Sequence, residues 1–217
     1  MSLQSEAFDT ADLPIDGIGS GSSILLTGDD TAALKTVFAR LVAADDDERS
    51  IVLATNAGGR SIQRLLNDAR SNAGSRASIL TAEGPARDDD VTSVDDIADL
   101  TQVGMQFSTL VATAQQSADR FRSGIFLCST IAGEVEDTRS VFRFLNSNFL
   151  TELRRGEGIG VVAIDRSAEM GTNVDSMISG METSFSARID IETTGRNEAT
   201  LEISGIDGSE GSVDVSL

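Results

Sequence analysis

The chain has 217 residues, which is enough for one domain with a substantial core but too few for two full domains. It carries a formal net charge of −18 at pH 7 and contains no histidine and a single cysteine. The lack of histidine excludes the usual zinc sites and the Ser-His-Asp and Cys-His hydrolase mechanisms, and the negative charge disfavours direct binding to nucleic acid or anionic lipid.

The charged residues are distributed in an unusual way. All but one of the 17 basic residues are arginines, Lys35 is the only lysine, and the carboxylates are spread along the whole chain. This composition resembles that of haloarchaeal proteins, whose acidic surfaces stay hydrated in concentrated salt; an ordinary acidic protein is the alternative. No apolar run is long enough for a membrane span, and residues 1–16 lack the features of a signal peptide, so we expect a cytoplasmic protein.

The apolar pattern predicts strands alternating with helices after a flexible lead-in, residues 1–20, that is rich in glycine and serine near its end. Short β-type runs predict strands, and apolar residues at three- and four-residue intervals predict helices. In chain order these are strand 23–27, helix 32–44, strand 50–55, helix 61–71, strand 77–81, helix 100–117, strand 124–129, helix 137–153, strand 159–164 and helix 170–181.

The end of the chain has a different pattern. Two alternating runs, 185–192 and 199–204, predict an antiparallel hairpin with Gly195 at its tip, and residues 206–217 predict a flexible tail. Alternating strands and helices predict a mainly parallel sheet with helices on both faces, because parallel strands need crossover connections. We therefore expect one α/β domain over residues 21–205. The acidic runs 45–48 and 88–90 are interpreted as solvated loops.

A strand runs through Gly28 into a helix, which is where a phosphate-binding loop would lie. Such a loop needs a second glycine, a lysine and a hydroxyl residue at fixed spacing, and this chain has alanine, leucine and lysine at those positions. Asp29 and Asp30 add negative charge at the place of a triphosphate. The segment therefore predicts poor ATP binding.

Residual nucleotide binding is nevertheless an alternative. Lys35 and Thr36 follow one residue beyond the expected positions, and a slightly longer loop would bring them to phosphate. Gly28, Thr31, Lys35 and Thr36 are therefore candidate cofactor-binding residues of a vestigial phosphate loop; the other interpretation makes Lys35 a solvated helix residue. Asp165 is a further candidate because it ends a predicted strand at the edge where α/β sheets bind ligands, although it would equally suit a cap or loop.

Several segments, in their order along the chain, resemble the KaiC/RecA-superfamily ATPases. These are the Gly28 loop, the helix opening at 99–108, the segment 140–145 and the closing hairpin, so the resemblance covers about residues 15–205. It is closest to a haloarchaeal group of KaiC-like proteins with eroded P-loops and no established activity. The resemblance implies a RecA/KaiC-like P-loop three-layer sandwich, mainly parallel, with the C-terminal antiparallel hairpin at the sheet edge.

The working residues of that superfamily are missing from the matching positions. Where the relatives place acidic residues after the second strand to activate water, this chain has residues 55–57, and Asn56 cannot act as a general base. The strand that should end in the Mg²⁺-orienting aspartate ends at 124–130 without a carboxylate, and Cys128 is interpreted as a small buried residue. The resemblance therefore predicts no catalytic residues, no metal ligands and no required cofactor, with ATP and Mg²⁺ as the alternative.

These expectations converge on a non-catalytic, pseudo-ATPase protein that regulates or scaffolds by binding protein partners, with signal transduction as a candidate process. The alternative is a weak ATPase or a nucleotide-sensing switch that uses Lys35 and Thr36. Assembly into a homo-oligomer is a further hypothesis, because relatives in this superfamily form rings. Neither nucleic acid nor membrane is an expected partner.

Overall fold

The described part of the chain, residues 7–84, 90–169 and 173–217 of the computed structural model, forms a nine-stranded sheet with helices on both faces. The strands are β1 Ser23–Gly28, β2 Glu48–Ala54, β3 Ala77–Thr81, β4 Val91–Ser93, β5 Arg120–Phe126, β6 Glu157–Asp165, β7 Ala187–Gly195, β8 Glu198–Ser204 and β9 Gly211–Ser216. The helices are α1 Thr31–Val42, α2 Gly59–Ala69, α3 Leu100–Ala114, α4 Cys128–Glu134, α5 Thr138–Phe144, α6 Leu150–Arg155 and α7 Val174–Glu182. A 3₁₀ turn covers Ala73–Arg76, and a π-helical turn, Leu145–Phe149, joins α5 to α6.

The strands lie in the order β4-β3-β2-β5-β6-β1-β7-β8-β9. From β4 to β7 all neighbours are parallel, whereas β8 and β9 are added antiparallel at the far edge. The predicted fold class, a mainly parallel sheet that ends in an antiparallel hairpin, is confirmed.

Two apolar clusters hold the layers together, one on each face of the sheet. Helices α1 and α2 cover one face, where the rings of Phe38 and Phe126 lie 5.1 Å apart. Helices α3 to α7 cover the other face, where Phe107 and Phe149 lie 5.6 Å apart. All six residues of β1 are buried, as expected for a parallel strand that is covered on both sides. None of the described helices is long and apolar enough to cross a membrane.

Most predicted elements are present with shifted ends. The fourth predicted strand, 124–129, runs instead from Arg120 to Phe126, because the buried Arg122 looked like a surface residue in the sequence. The short elements β4 and α4 were not predicted, since each is too brief to show a period. Helix α7 begins at Val174, and the predicted start of that helix, 170–172, lies outside the described residues.

The expectation of flexible ends is wrong for most of both segments. In the lead-in, Phe8 and Ile18 pair with each other as an isolated antiparallel bridge, and both are buried in the cluster beneath α1. In the tail, β9 pairs with β8, and Val215 reaches the same cluster. A few well-spaced apolar residues anchor these polar, glycine-rich segments to the core, although most of their residues remain at least partly exposed. Residues 1–6 lie outside the described part of the chain.

The interpretation of residues 45–48 as a solvated loop is also wrong in part. The Glu48 side chain begins β2 and is only 3% exposed. Its carboxylate lies 2.5 Å from Nε of Arg122, which is fully buried, and 3.6 Å from Nη2 of Arg120. Burial of these charges requires such pairing. In the other run, residues 88 and 89 lie outside the described residues.

Candidate functional site

The carboxyl ends of the parallel strands lie at one edge of the sheet. All the predicted site residues lie in strands or helices that begin or end at this edge. Helix α1 leaves β1 toward one face, whereas α7 follows β6 on the opposite face, although β1 and β6 are neighbours. Such a reversal opens a crevice between the two strands, where α/β proteins commonly bind ligands.

The connection from β1 to α1 is short. Strand β1 ends at Gly28 and α1 begins at Thr31, so only Asp29 and Asp30 lie between them. The carboxylate Oδ1 of Asp30 accepts hydrogen bonds from the backbone amides of Ala32, at 2.8 Å, and Ala33, at 3.0 Å. Free amides at a helix amino end are the groups that bind phosphate. Here the protein's own carboxylate occupies two of them.

Gly28 has a packing role at this position. A Cβ atom there would lie 3.2 Å from Cβ of Ile191 on the neighbouring strand β7, which is closer than ordinary contact. Its φ is not among the positive values that a phosphate-wrapping turn uses. The glycine therefore allows β1 and β7 to pack closely above the start of α1.

Thr31 and Asp165 are brought together across the crevice. The hydroxyl of Thr31 donates to Oδ2 of Asp165 at 2.6 Å, while the amide and hydroxyl of Ser167 donate to Oδ1 at 2.9 and 2.6 Å. Asp165 is the last residue of β6 and is only 6% exposed. Both of its oxygens are therefore engaged, and the contact ties the start of α1 to the end of β6.

Lys35 and Thr36 lie one helical turn farther along α1 than Thr31. The hydroxyl of Thr36 donates to the backbone oxygen of Ala32 at 3.1 Å, within the helix. The structure thus places Gly28, Thr31 and Asp165 at the strand ends and leaves Lys35 and Thr36 outside their hydrogen-bond network. A role of these residues in cofactor binding stays a prediction.

Beside the α1 start lies an acidic cavity of about 460 Å³. Arg166 is its basic residue, and Nε of Arg166 lies 3.3 Å from Oδ1 of Asp29. Sequence reasoning missed the residues that the hairpin contributes, because they lie far from Gly28 in the chain and no motif marks them. The cavity is lined by Asp29, Asp30, Arg166, Asp190, Ile191, Glu192, Thr193 and Glu202.

The ends of β2 and β5 are joined by a tight set of hydrogen bonds. The hydroxyl of Thr55 donates to the backbone oxygen of Leu127 at 2.9 Å and accepts from the Leu127 amide at 2.8 Å. The Phe126–Leu127 peptide bond is cis. Strand β5 ends at the apolar residue Phe126, three residues earlier than predicted, and no carboxylate lies at this strand end.

A second cavity of about 360 Å³ lies next to these strand ends, with Asn56, Ser129 and Asp165 among its lining residues. The Oδ1 atom of Asn56 is buried and has no hydrogen-bond partner among the described residues. Cys128 is fully buried, and burial raises the pKa of its thiol to about 12, so the thiol stays protonated at neutral pH. Across the described ranges, no three Cys, Asp or Glu side chains are grouped as a metal site.

The sequence model of a protein family described as a family of unknown function (DUF7504) matches residues 21–191. The chain belongs to this family. None of the curated proteins matches it. Among solved structures, the KaiC-like protein PH0186 from the hyperthermophilic archaeon Pyrococcus horikoshii OT3 matches with a TM-score of 0.67 and 13% sequence identity, over 97% of this chain and 94% of that chain.

At this low identity the likeness shows the fold alone, which is that of KaiC-like, RecA-type proteins. The predicted resemblance is confirmed at that level. As many as 427 solved chains match the structure, so the fold by itself does not assign an activity.

Proposed function

We propose that this member of the family is a non-catalytic, pseudo-ATPase protein with a degenerate P-loop, and that it regulates or scaffolds by binding protein partners in the cytoplasm of a haloarchaeon. The observation that carries the proposal is the carboxylate of Asp30 on the amides of Ala32 and Ala33. A phosphate would have to displace this carboxylate and then remain beside it.

The charge around the α1 start supports the same conclusion. Asp190 in the acidic cavity accepts a hydrogen bond from Thr27 and pairs with Arg188, and Arg166 is close to Asp29. The carboxylates of Glu192 and Glu202 add negative charge without a basic partner among the described residues. A triphosphate would therefore be repelled by the wall of the cavity that should receive it.

The residues needed for phosphoryl transfer are lacking at the neighbouring strand ends as well. Strand β5 ends at Phe126, which cannot bind Mg²⁺, and the residue after Thr55 is the neutral amide Asn56. Phosphate binding, metal binding and water activation would each need a group that the chain does not place there. We infer that the fold has been retained because its surface binds protein partners. The process that we propose is signal transduction.

The rival proposal is a weak ATPase or nucleotide-sensing switch. It requires Lys35 and Thr36 to reach phosphate, although the Thr36 hydroxyl is bonded within α1. The two proposals differ in the expected affinity for nucleotide, and this difference is measurable.

The test is calorimetric titration of the protein with MgATP and MgADP in multimolar KCl, together with an assay of released phosphate. We expect neither binding at millimolar nucleotide nor hydrolysis. Micromolar binding that is lost in Lys35→Ala, and kept in the surface control Arg64→Ala on α2, would overturn the proposal and establish the switch. The proposal that the chain binds a protein partner is tested separately. A protein that co-purifies with the chain in multimolar KCl must bind the chain again when both proteins are purified.

A further inference from the structure

Residues 7–18 form a small unit within the lead-in, and we call this unit the arm. The amides of Phe8 and Ile18 donate to each other's backbone oxygens, at 2.8 and 2.9 Å, and so close the arm into a loop. Inside this loop the hydroxyl of Thr10 donates to the backbone oxygen of Leu13 at 3.1 Å. The hydrogen bonds that shape the arm are therefore internal to it.

The arm is attached to the rest of the domain through side chains. No backbone–backbone hydrogen bond joins residues 7–18 to another described segment. The attachments are buried apolar side chains, the ion pair of Asp9 with Arg70, and a hydrogen bond of 2.7 Å from the Asp16 amide to the Ser209 hydroxyl oxygen. The arm thus lies on the domain as a bound peptide would.

The surface that receives the arm is specific for it, and we call this surface the socket. It consists of Arg70, Arg120, Arg122, Ser209 and the apolar side chains around α1. The fully buried ring of Phe8 lies 3.9 Å from the guanidinium of Arg120 and 5.3 Å from that of Arg122. Leu13 and Ile15 are buried in the apolar cluster beneath α1. An arm outside a socket would expose these apolar side chains to water, which is unfavourable.

A single β-turn folds the arm back onto its own domain. Residues 19–22 read Gly-Ser-Gly-Ser, and the amide of Ser22 donates to the backbone oxygen of Gly19 at 3.3 Å. Gly21, the third residue of this turn, has a φ of 81°, a positive value that type II turns require at that position. A Cβ atom at Gly21 would have no atom within 4 Å. The backbone conformation, rather than packing, therefore favours glycine there.

We propose that two copies of this chain exchange their arms, so that the arm of each copy occupies the socket of the other. Opening of the turn 19–22 releases the arm and leaves its internal hydrogen bonds intact. The second copy fits the socket because it offers the same Phe8, Asp9 and Asp16 side chains and backbone to the same surface. Exchange of this kind is a low-cost route to a dimer, since each contact between arm and socket is made again.

The closed monomer and the exchanged dimer differ in the turn and in their dependence on protein concentration. A linker of this length holds the arm near its own socket at an effective concentration on the order of mM. The monomer should therefore predominate in dilute solution, and the dimer should be favoured in concentrated solution or when the turn is strained. The exchange is independent of the proposed function, because neither nucleotide nor another protein takes part in it.

The first test strains the turn. In Gly21→Val a β-branched residue must adopt a positive φ in the monomer, which should disfavour the closed turn by about tenfold in each copy. We expect the association constant of the dimer to rise by about a hundredfold, because both turns open on exchange. Sedimentation equilibrium in multimolar KCl, after refolding over a range of concentrations, measures it. The matched control Ser20→Val adds the same side chain to the same turn at a position without positive φ, and it should behave as the unaltered chain.

The second test detects the exchanged arms directly. A Cβ atom at Gly208 would lie 3.7 Å from Cβ of Asp16, which is within the range of a disulfide. Asp16→Cys chains and Gly208→Cys chains, refolded together and oxidised, should therefore form a disulfide between unlike chains. Asp16→Cys mixed with Arg196→Cys, which lies at the other end of β8, should not. Cys128 is fully buried and should not interfere.

Thermal unfolding of each variant checks that it folds, in particular Gly208→Cys, because Gly208 has a φ of 81°. The unaltered chain is expected to show a dimer whose fraction grows with concentration. Refolding to monomer alone at millimolar concentration would overturn the proposal, as would an association constant that is the same in Gly21→Val. A dimer whose unlike chains do not cross-link would also overturn it, since such a dimer would assemble through another surface.

Discussion

Two carboxylates of this chain bind groups of the protein itself where a carboxylate or backbone amide would otherwise bind solvent or a ligand. Asp30 binds the first amides of α1, where a phosphate would bind in a working loop, and Glu48 holds two arginines at the opposite edge of the sheet. Neither residue stands out in a sequence that contains 35 acidic residues. The groups that their carboxylates contact, rather than their residue type, distinguish Asp30 and Glu48 from the other acidic residues.

Neutralising Glu48 is expected to destabilise the fold strongly. In Glu48→Gln the fully buried Arg122 loses its counter-charge, and the loss of one partner from a buried ion pair costs about 3–5 kcal/mol. The matched control is Asp46→Asn, since the Asp46 side chain is 94% exposed and pairs with Arg76 at 3.0 Å. An exposed pair contributes at most about 1 kcal/mol. Denaturant unfolding in multimolar KCl measures both variants, and equal losses would contradict the assignment of Glu48 to a buried pair.

At the scale of elements, the core is completed by segments from both ends of the described chain. The ring of Phe8 is fully buried, and the Arg120 guanidinium lies 3.9 Å from its centroid. The amides of Phe8 and Ile18 donate to each other's backbone oxygens, which closes the lead-in into a loop beneath the sheet. Strand β9 adds Val215 to the same apolar cluster. The lead-in and β9 are thus parts of the folded domain.

The lead-in is expected to contribute to stability through Phe8. Phe8→Ala removes a buried ring and its cation–π contact, and it should lower the free energy of unfolding by about 3–5 kcal/mol. Phe8→Leu, which keeps most of the volume, should cost less. Hydrogen exchange at the Ile18 amide should accelerate in Phe8→Ala. An unchanged exchange rate and stability would show that the lead-in does not pack in solution.

For the whole molecule, the balance between core and surface charge decides stability. The two apolar clusters lie on either side of one sheet, whereas the net charge of −18 is carried by side chains that mostly remain exposed. Self-repulsion of this size opposes the compact state unless salt screens it. Stability in this protein should therefore depend on the concentration of salt more than on any single exposed ion pair.

The melting temperature is accordingly expected to rise with the KCl concentration. The rise should be steepest below about 1 M, because the screening length has already fallen to about 3 Å at that concentration. Each 1 kcal/mol of added stability should raise it by about 2–4 °C for a chain of this size. Circular dichroism at increasing KCl measures the curve. A melting temperature that does not change up to 1 M would contradict the role given to charge repulsion and would weaken the proposal of a haloarchaeal origin.

Local patterns predicted much of this fold. The apolar runs of β1, β2 and β3 and the helical spacing of α1 and α3 predicted elements that the structure contains. Burial on both faces of a strand produces a continuous apolar run, and burial of one side of a helix produces a helical period. The alternation of these elements predicted the parallel sheet. Arg120 and Arg122 hid the start of β5, and the polar β9 showed too few apolar residues to be predicted as a strand.

The sequence by itself determined the α/β class and the absence of histidine chemistry, since these depend on residue type and spacing. Tertiary structure decided which residues meet. The contact of Thr31 with Asp165, the hairpin carboxylates beside α1 and the pairing of Glu48 with Arg122 all join residues distant in the chain. Strand order and side-chain packing bring such residues together, and neither is encoded in a local period.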